Sequence, residues 1–338
     1  MRYCINSAAL KLDPADNPEK MVEVWVVVSA PMSATRNAVD WPGLGAALIT
    51  IGLWASAFVG IRAAGSDISP GALAFGRLLI GAVLLGSLAL IRRGPLPRGR
   101  DLALVVGTGV IWFAGYNLSL NAAEQVVDAG TAAMLVFIGP LLVILLAGVF
   151  LGEGFPRRVV LGAAVAFTGI LIIGLTVAGG GGGAAPIWGI VLCLVAALTA
   201  AIGVTFEKPV LRRISALNVT ALACVVGAVV TAPFAPQLLS EVAVAEPNSV
   251  GWLVYLGVFP TSVAFTTWAF ALGRSSAVRL ATTMYLIPPT AIVLAWLILG
   301  EVPALVAILG GALSIAGVVI AQSRGASAPA PAIAPEVG

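Results

Sequence analysis

Histidine is absent from this 338-residue chain, and charge is scarce, with only 10% of residues Asp, Glu, Lys or Arg. Without histidine there is no Ser–His pair, no HExxH zinc site and no imidazole ligand for a metal. No paired carboxylates sit within a helix, and the glycine run "AGGGGGAAP" (178–186) lacks the Lys-Ser/Thr of a phosphate-cradling loop. Cysteine is nearly missing too: Cys193 and Cys224 lie in apolar stretches and Cys4 in the amino-terminal tail, so no disulfide framework is expected. These absences argue against an enzyme, and no cofactor, metal or nucleic-acid partner is expected.

What remains is apolar. Hydrophobic residues make up 60% of the chain and mean hydropathy is +1.06. A soluble domain carries about 25% charged residues, so this composition cannot dress a water-facing surface. The charges are also segregated: none falls between Asp40 and Arg62, Asp101 and Glu124, Asp128 and Glu153, Arg213 and Glu241, Glu246 and Arg274, or Arg279 and Glu301. About 20 apolar residues at 1.5 Å rise cross a hydrocarbon core of about 30 Å. The pattern predicts helices over 42–62, 69–91, 102–123, 129–152, 159–178, 186–206, 215–235, 249–273, 279–300 and 303–322. The expected fold is therefore an all-α membrane protein of ten transmembrane helices. A barrel is disfavoured because the segments lack two-residue alternation.

Lysine and arginine mark cytoplasmic loops. Arg92, Arg93, Arg98 and Arg100 follow the second helix, Arg157 and Arg158 the fourth, Lys208, Arg212 and Arg213 the sixth, and Arg274 and Arg279 the eighth. The alternate loops, "EQVVDAG" (124–130), the glycine run, "SEVAVAEPNSV" (240–250) and "GEVP" (300–303), carry none. With both termini inside, only Arg62 and Arg77 dissent. The expected location is a cytoplasmic (inner) cell membrane, with many crossings. Residues 1–40 read as a poorly ordered cytoplasmic segment in which Met1, Met21 and Met32 are alternative starts, and 324–338 as a disordered Ala/Pro-rich tail.

The chain also repeats itself. Residues 139–153, "GPLLVILLAGVFLGE", return 148 positions later as "IPPTAIVLAWLILGE" (287–301). Without gaps, 130–175 and 278–323 share thirteen of forty-six residues, including Pro140 with Pro288, Glu153 with Glu301, Gly162 with Gly310 and Gly169 with Gly317. Composition alone would supply roughly four or five. Five helices per unit place the second unit upside down relative to the first, the architecture of carriers that rock around a midplane site. The boundaries expected are a first repeat at 41–178, a Gly-rich linker at 179–185 and a second repeat at 186–323.

The stretch "LWASAFVGIRAAG…SPGALAFGRLLIGAVLL" (53–85), followed by "GPLLVILLAGVFLGE", resembles the first EamA-type unit of the drug/metabolite transporter superfamily. Residues 186–322 resemble the second. The resemblance implies an exporter-like permease, often for amino acids, other metabolites or toxic amphiphiles. One departure is that the seventh helix has no arginine to match Arg77.

Candidate pathway residues follow from polar and aromatic groups at helical spacing. Trp112, Tyr116 and Ser119 share one face of the third helix, and Thr261, Phe265 and Trp268 one face of the eighth. Trp54 and Ser56 lie near the middle of the first helix, Tyr285 in the inner part of the ninth, and Asn117 with Asn121 in the outer third of the third. Ordinary aromatic packing is the competing reading. Arg77 is the one charge well inside a helix; it either binds a substrate carboxylate or snorkels outward toward Asp67. Pro140, Pro260, Pro288 and Pro289 are the helix-break and hinge candidates. Glu153 and Glu301 read as boundary residues. The function expected is a secondary transporter embedded in lipid, an exporter of small metabolites such as amino acids or amphiphilic toxic compounds by alternating access, with coupling to protons or another ion left open. A channel is the alternative, and monomer and homodimer are both compatible with the sequence.

Overall fold

A computed structural model describes residues 41–150, 157–179, 184–274 and 283–322. The first 40 residues, the tail from 323, Glu153 and Arg279 lie outside the described residues, as do the expectations attached to them.

Every described element is a helix. In chain order these are α1 (Trp41–Ala64), α2 (Pro70–Arg92), α3 (Arg100–Ala123), α4 (Ala129–Val136, resumed at Gly139–Phe150), α5 (Arg157–Gly179), α6 (Ala184–Val210), α7 (Ala216–Thr231, continued by a tight turn and Ala235–Val242), α8 (Pro247–Arg274), α9 (Ile287–Leu299) and α10 (Leu305–Gln322). Six of them, α1, α2, α3, α6, α7 and α8, are long and apolar enough to cross a membrane. Shorter apolar helices run over Ala129–Val143, Met284–Leu299 and Leu305–Ala321.

The proline candidates fall on breaks. The α4 ladder lapses at Phe137 and Ile138, just before Gly139-Pro140, because proline has no N–H to donate and its ring displaces the preceding turn. Pro288 and Pro289 occupy the first turn of α9, where a missing N–H costs nothing, after a 3-10 turn at Met284–Leu286. Pro260 lies inside α8. α7 runs further than expected, to Val242. Its added turn contains Glu241, whose Oε2 accepts from the backbone N–H of Ser69 at 2.8 Å.

In lipid, apolar burial does not draw helices together, so small residues that permit close approach decide where they touch. α5 and α10 lie antiparallel along their glycines. A Cβ at Gly162 would stand 2.5 Å from the Gly317 carbonyl oxygen, and one at Gly310 would stand 2.8 Å from that of Gly169. α2 packs on α7, where the Cys224 thiol donates to the Leu78 carbonyl at 3.3 Å. α1 packs on α8 and α9, and α6 on α3 and α4.

Polar ties join residues of the first half to the second at both ends of the bundle. At one end Arg62 Nε pairs with Glu301 at 2.9 Å, and Asp67 accepts from the Ser249 hydroxyl at 2.6 Å and the Glu246 N–H at 3.1 Å. Gly300 makes the first tie feasible. Its φ of +70° ends α9 in a left-handed turn, with the Glu301 N–H folding back to Ala295, and this aims Glu301 at Arg62. At the opposite end Arg213 approaches Asp101 at 3.4 Å, and Asn218 donates to the Pro95 carbonyl at 2.8 Å.

Candidate substrate pathway

Two stretches of wide, π-helical winding set the site. One spans Gly109–Tyr116 in α3, the other Gly257–Val263 in α8. They begin 148 residues apart, the spacing of the sequence repeat. Such turns are rare and cluster at functional positions. In α8 the cause is chemical. Pro260 cannot donate to the preceding turn, and hydroxyls take over: Thr261 Oγ1 donates to the Leu256 carbonyl at 2.9 Å and Ser262 Oγ to that of Gly257 at 3.0 Å. In α3 the Asn117 amide does the same toward Phe113, at 2.6 Å.

The wide turn of α8 splits the face expected to hold Thr261, Phe265 and Trp268 together. Phe265 and Trp268 join an aromatic cluster. Trp54 of α1 meets them at centroid distances of 5.4 and 5.5 Å, and Phe113 stacks on Phe265 at 5.7 Å. Trp112 stands edge-on to Phe265 at 6.3 Å. The Trp54 indole N–H donates to the Pro260 carbonyl at 3.2 Å, so the π-helical segment of α8 is tied to α1. Thr50 and Thr267 hydroxyls, 2.7 Å apart, extend the same α1–α8 seam.

Thr261 turns instead to Arg77. The Arg77 guanidinium, only 7% exposed, donates from Nε to Thr261 Oγ1 at 3.0 Å, while its Nη1 is buried without a partner among the described residues. The outward reach to Asp67 is not realised, because Asp67 is held by Ser249 and Glu246. Arg77 lies within electrostatic range of Tyr116 and Glu124. Asn117 and Asn121 are buried nearby on α3 and do not satisfy each other. Asn121 donates to the Pro70 carbonyl at 3.1 Å, and the side-chain oxygen of each has no partner among the described residues.

Glu124 is the residue that sequence reasoning missed. Read as part of a water-exposed loop, it is 1% exposed, and neither carboxylate oxygen has a partner among the described residues. Burial pushes this carboxyl well above the ordinary carboxylate range; Arg62 and Arg77 oppose the shift, and Glu301 and Asp128 add to it. The available signal was spacing, since Asn117, Asn121 and Glu124 recur at i, i+4 and i+7 and so continue one face of α3.

Two candidates lie apart. The Ser56 hydroxyl is 2.6 Å from that of Tyr255 and lines an apolar groove of about 850 Å³ with Leu48, Gly52, Trp252 and Leu294. Two residues along a helix from Trp54, it faces nearly the opposite way. Tyr285 is half-buried, edge-on to Phe137 at 5.8 Å, and its hydroxyl has no partner among the described residues.

Comparison with known proteins adds to this geometry. Residues 41–175 and, separately, 187–322 match the EamA-like transporter family. A Streptantibioticus cattleyicolor protein named "Probable terminal-alkyne amino-acid exporter" is 36% identical over 283 residues, covering 82% of this chain and 93% of that one. "Uncharacterized transporter YdfC" of Bacillus subtilis is 32% identical, covering 80% and 87%. "Probable amino-acid metabolite efflux pump" of Salmonella typhimurium is 25% identical, covering 81% and 92%. A solved structure with 20% sequence identity superposes with a TM-score of 0.55 over 83% of this chain and 96% of its own, which supports the fold alone.

Proposed function

The chain belongs to the EamA-like transporter family, and from that premise we propose that it is a secondary transporter exporting small amino-acid-like solutes by alternating access. In this reading α1 to α10 all cross a cytoplasmic membrane. Residues 41–178 form one five-helix half and 186–323 its inverted partner, joined by the Gly-rich linker at 179–185. Both termini are cytoplasmic, so the Arg62 end faces outward.

Three observations support the inverted relation. Gly162 meets Gly317 while Gly169 meets Gly310, which is one contact seen twice if 162 and 310, and 169 and 317, are equivalent. Phe137 touches Tyr285, its own equivalent 148 residues on. The two π-helical segments repeat at the same spacing. A two-fold axis lying in the membrane plane generates all three.

The observation that carries the substrate class is Arg77. A buried guanidinium, anchored by one nitrogen to Thr261 of the opposite half and offering another with no partner among the described residues, suits a carboxylate. The aromatic cluster of Trp54, Trp112, Phe265 and Trp268 provides an apolar wall for a side chain. The names of the Streptantibioticus and Salmonella relatives agree with amino-acid-like cargo. Pro140, Pro260 and Pro288-Pro289 sit where the helices already break, the positions at which rocking halves would bend. Release of amino acids from cells expressing the wild type and Arg77→Gln tests the reading. The variant should lose export at least about tenfold, the scale of one charged hydrogen bond of about 1.5–3 kcal/mol, at unchanged membrane levels. Normal export by the variant contradicts it.

A further inference from the structure

The Arg62 end holds an electrostatic arrangement that substrate recognition does not use. Arg62 is anchored at residue 124 itself, its Nη1 donating to the Glu124 backbone carbonyl at 2.6 Å and to that of Gln125 at 3.2 Å. Its Nε holds Glu301, which begins the turn after α9. Within the same neighbourhood the Glu124 carboxyl is sealed from water, and neither oxygen has a partner among the described residues. The charged and titratable groups facing it are Arg62 from α1, Arg77 from α2, Asp128 from the turn into α4, Glu301 from beyond α9, Tyr116 on its own helix and Cys193 from α6. Two cations and two other carboxylates thus lie within electrostatic range of one carboxyl that has no direct partner among the described residues.

An ionised carboxylate cannot rest unpaired in such a place. Either it carries a proton or it captures a guanidinium. Arg62 is the guanidinium already fixed at residue 124, so capture requires only that its Nε side exchange one carboxylate for another. The carboxylate it would leave, Glu301, is the one by which α1 is tied to the far end of α9.

Resting on the carrier reading above, we propose that Glu124 is the proton-binding site that couples this transporter, with Arg62 as its switch. Protonated, Glu124 leaves intact the Arg62–Glu301 pair seen in the structure, and the outer end stays closed. Ionised, it draws Arg62 from Glu301 and the outer end opens. The proton joins and leaves a single carboxylate oxygen; no other bond is made or broken. In an exporter this ordering binds a proton from the outside as the outer end closes, and exchanges it inside for solute.

The test needs no known substrate. Spin labels at Ser66→Cys and Val302→Cys, both exposed and one on each side of the Arg62–Glu301 pair, report outer-end separation in nanodiscs, on a Cys4→Ser background that leaves buried Cys193 and Cys224 in place. Distances are read at about pH 5 and about pH 9, which bracket the range for buried carboxyls. The wild type should show a short distance in acid and gain a longer population in base. Glu124→Gln should stay short at both, and Glu301→Gln should lose the short population in acid. A wild-type distance indifferent to pH, or a Glu124→Gln variant that shifts as the wild type does, overturns the proposal. Should Glu124→Gln fail to fold, the wild-type and Glu301→Gln arms decide alone. In parallel, proteoliposomes are assayed with a panel of radiolabelled amino acids. If none is moved by wild type, the substrate reading falls while the distances still decide the fate of Glu124. If counterflow occurs in Glu124→Gln but no longer responds to a pH gradient, both readings stand.

Discussion

Thr261→Val replaces a hydroxyl by a methyl of nearly equal volume, so its effect is almost purely the loss of hydrogen bonds. Thr261 Oγ1 accepts from Arg77 Nε at 3.0 Å and donates to the Leu256 carbonyl at 2.9 Å. The first is charge-assisted and buried, worth about 1.5–3 kcal/mol; the second is neutral, about 0.5–1.5 kcal/mol. Their sum, about 2–4.5 kcal/mol, is an upper bound, because Arg77 can swing its Nε toward another acceptor and the π-helical turn can rewind. Even about 1.4 kcal/mol, below the bottom of that range, is tenfold in an equilibrium constant. The assay is twofold: unfolding of purified protein in mixed detergent micelles, and uptake of a transported amino acid into proteoliposomes. Thr261→Val should be less stable by roughly 1–3 kcal/mol and raise the apparent KM for an anionic or zwitterionic solute at least about tenfold, as Arg77 loses its fixed orientation. Thr261→Ser, which keeps the hydroxyl, should recover most of both. A valine variant as stable and as active as wild type would refute the idea that Thr261 holds Arg77 in place.

Two further outcomes follow from the packing and the charge. Gly162→Ala puts a methyl 2.5 Å from the Gly317 carbonyl and 2.6 Å from the Ala321 nitrogen, both backbone atoms that cannot swing aside. It should lower stability by about 1–3 kcal/mol, measured as detergent-unfolding free energy, whereas Gly52→Ala, where a methyl meets nothing within 4 Å, should be near neutral. For Glu124 the folded-state affinity for a proton exceeds the unfolded one. Its contribution is therefore fully present below the unfolded value of roughly 4.3 and is lost as pH rises through the elevated folded value. Wild-type unfolding free energy should decline over that window and Glu124→Gln should flatten the decline.

The apolar helices were legible because a stretch of lipid-crossing length cannot hide charges, and the cut points at Arg92, Asp101 and Glu246 lie within a few residues of observed helix ends. The break in α4 was legible too, because proline's missing N–H acts locally. The glycines of α5 and α10 announced close packing, although which glycine meets which depends on the crossing and not on the chain. The π-helical winding of α3 has no proline to betray it, and only the 148-residue echo of α8 places it. Arg62 seemed to dissent from the charge pattern; its partner Glu301 lies 239 positions on, beyond any local rule. Glu124 and Glu241 read as loop residues because a carboxylate beside an apolar run ordinarily marks where water begins. Here each is enclosed or engaged by another helix, Glu241 on the Ser69 amide and Glu124 among two arginines.

Sidedness of equivalent residues tests the two-half architecture most directly. Arg157 and Leu305 begin α5 and α10 and stand at equivalent repeat positions, both exposed. With single cysteines at each, an impermeant maleimide applied to intact cells should label Leu305→Cys from outside and reach Arg157→Cys only after the membrane is opened. Labelling of both from the same side would contradict the inverted pair of halves.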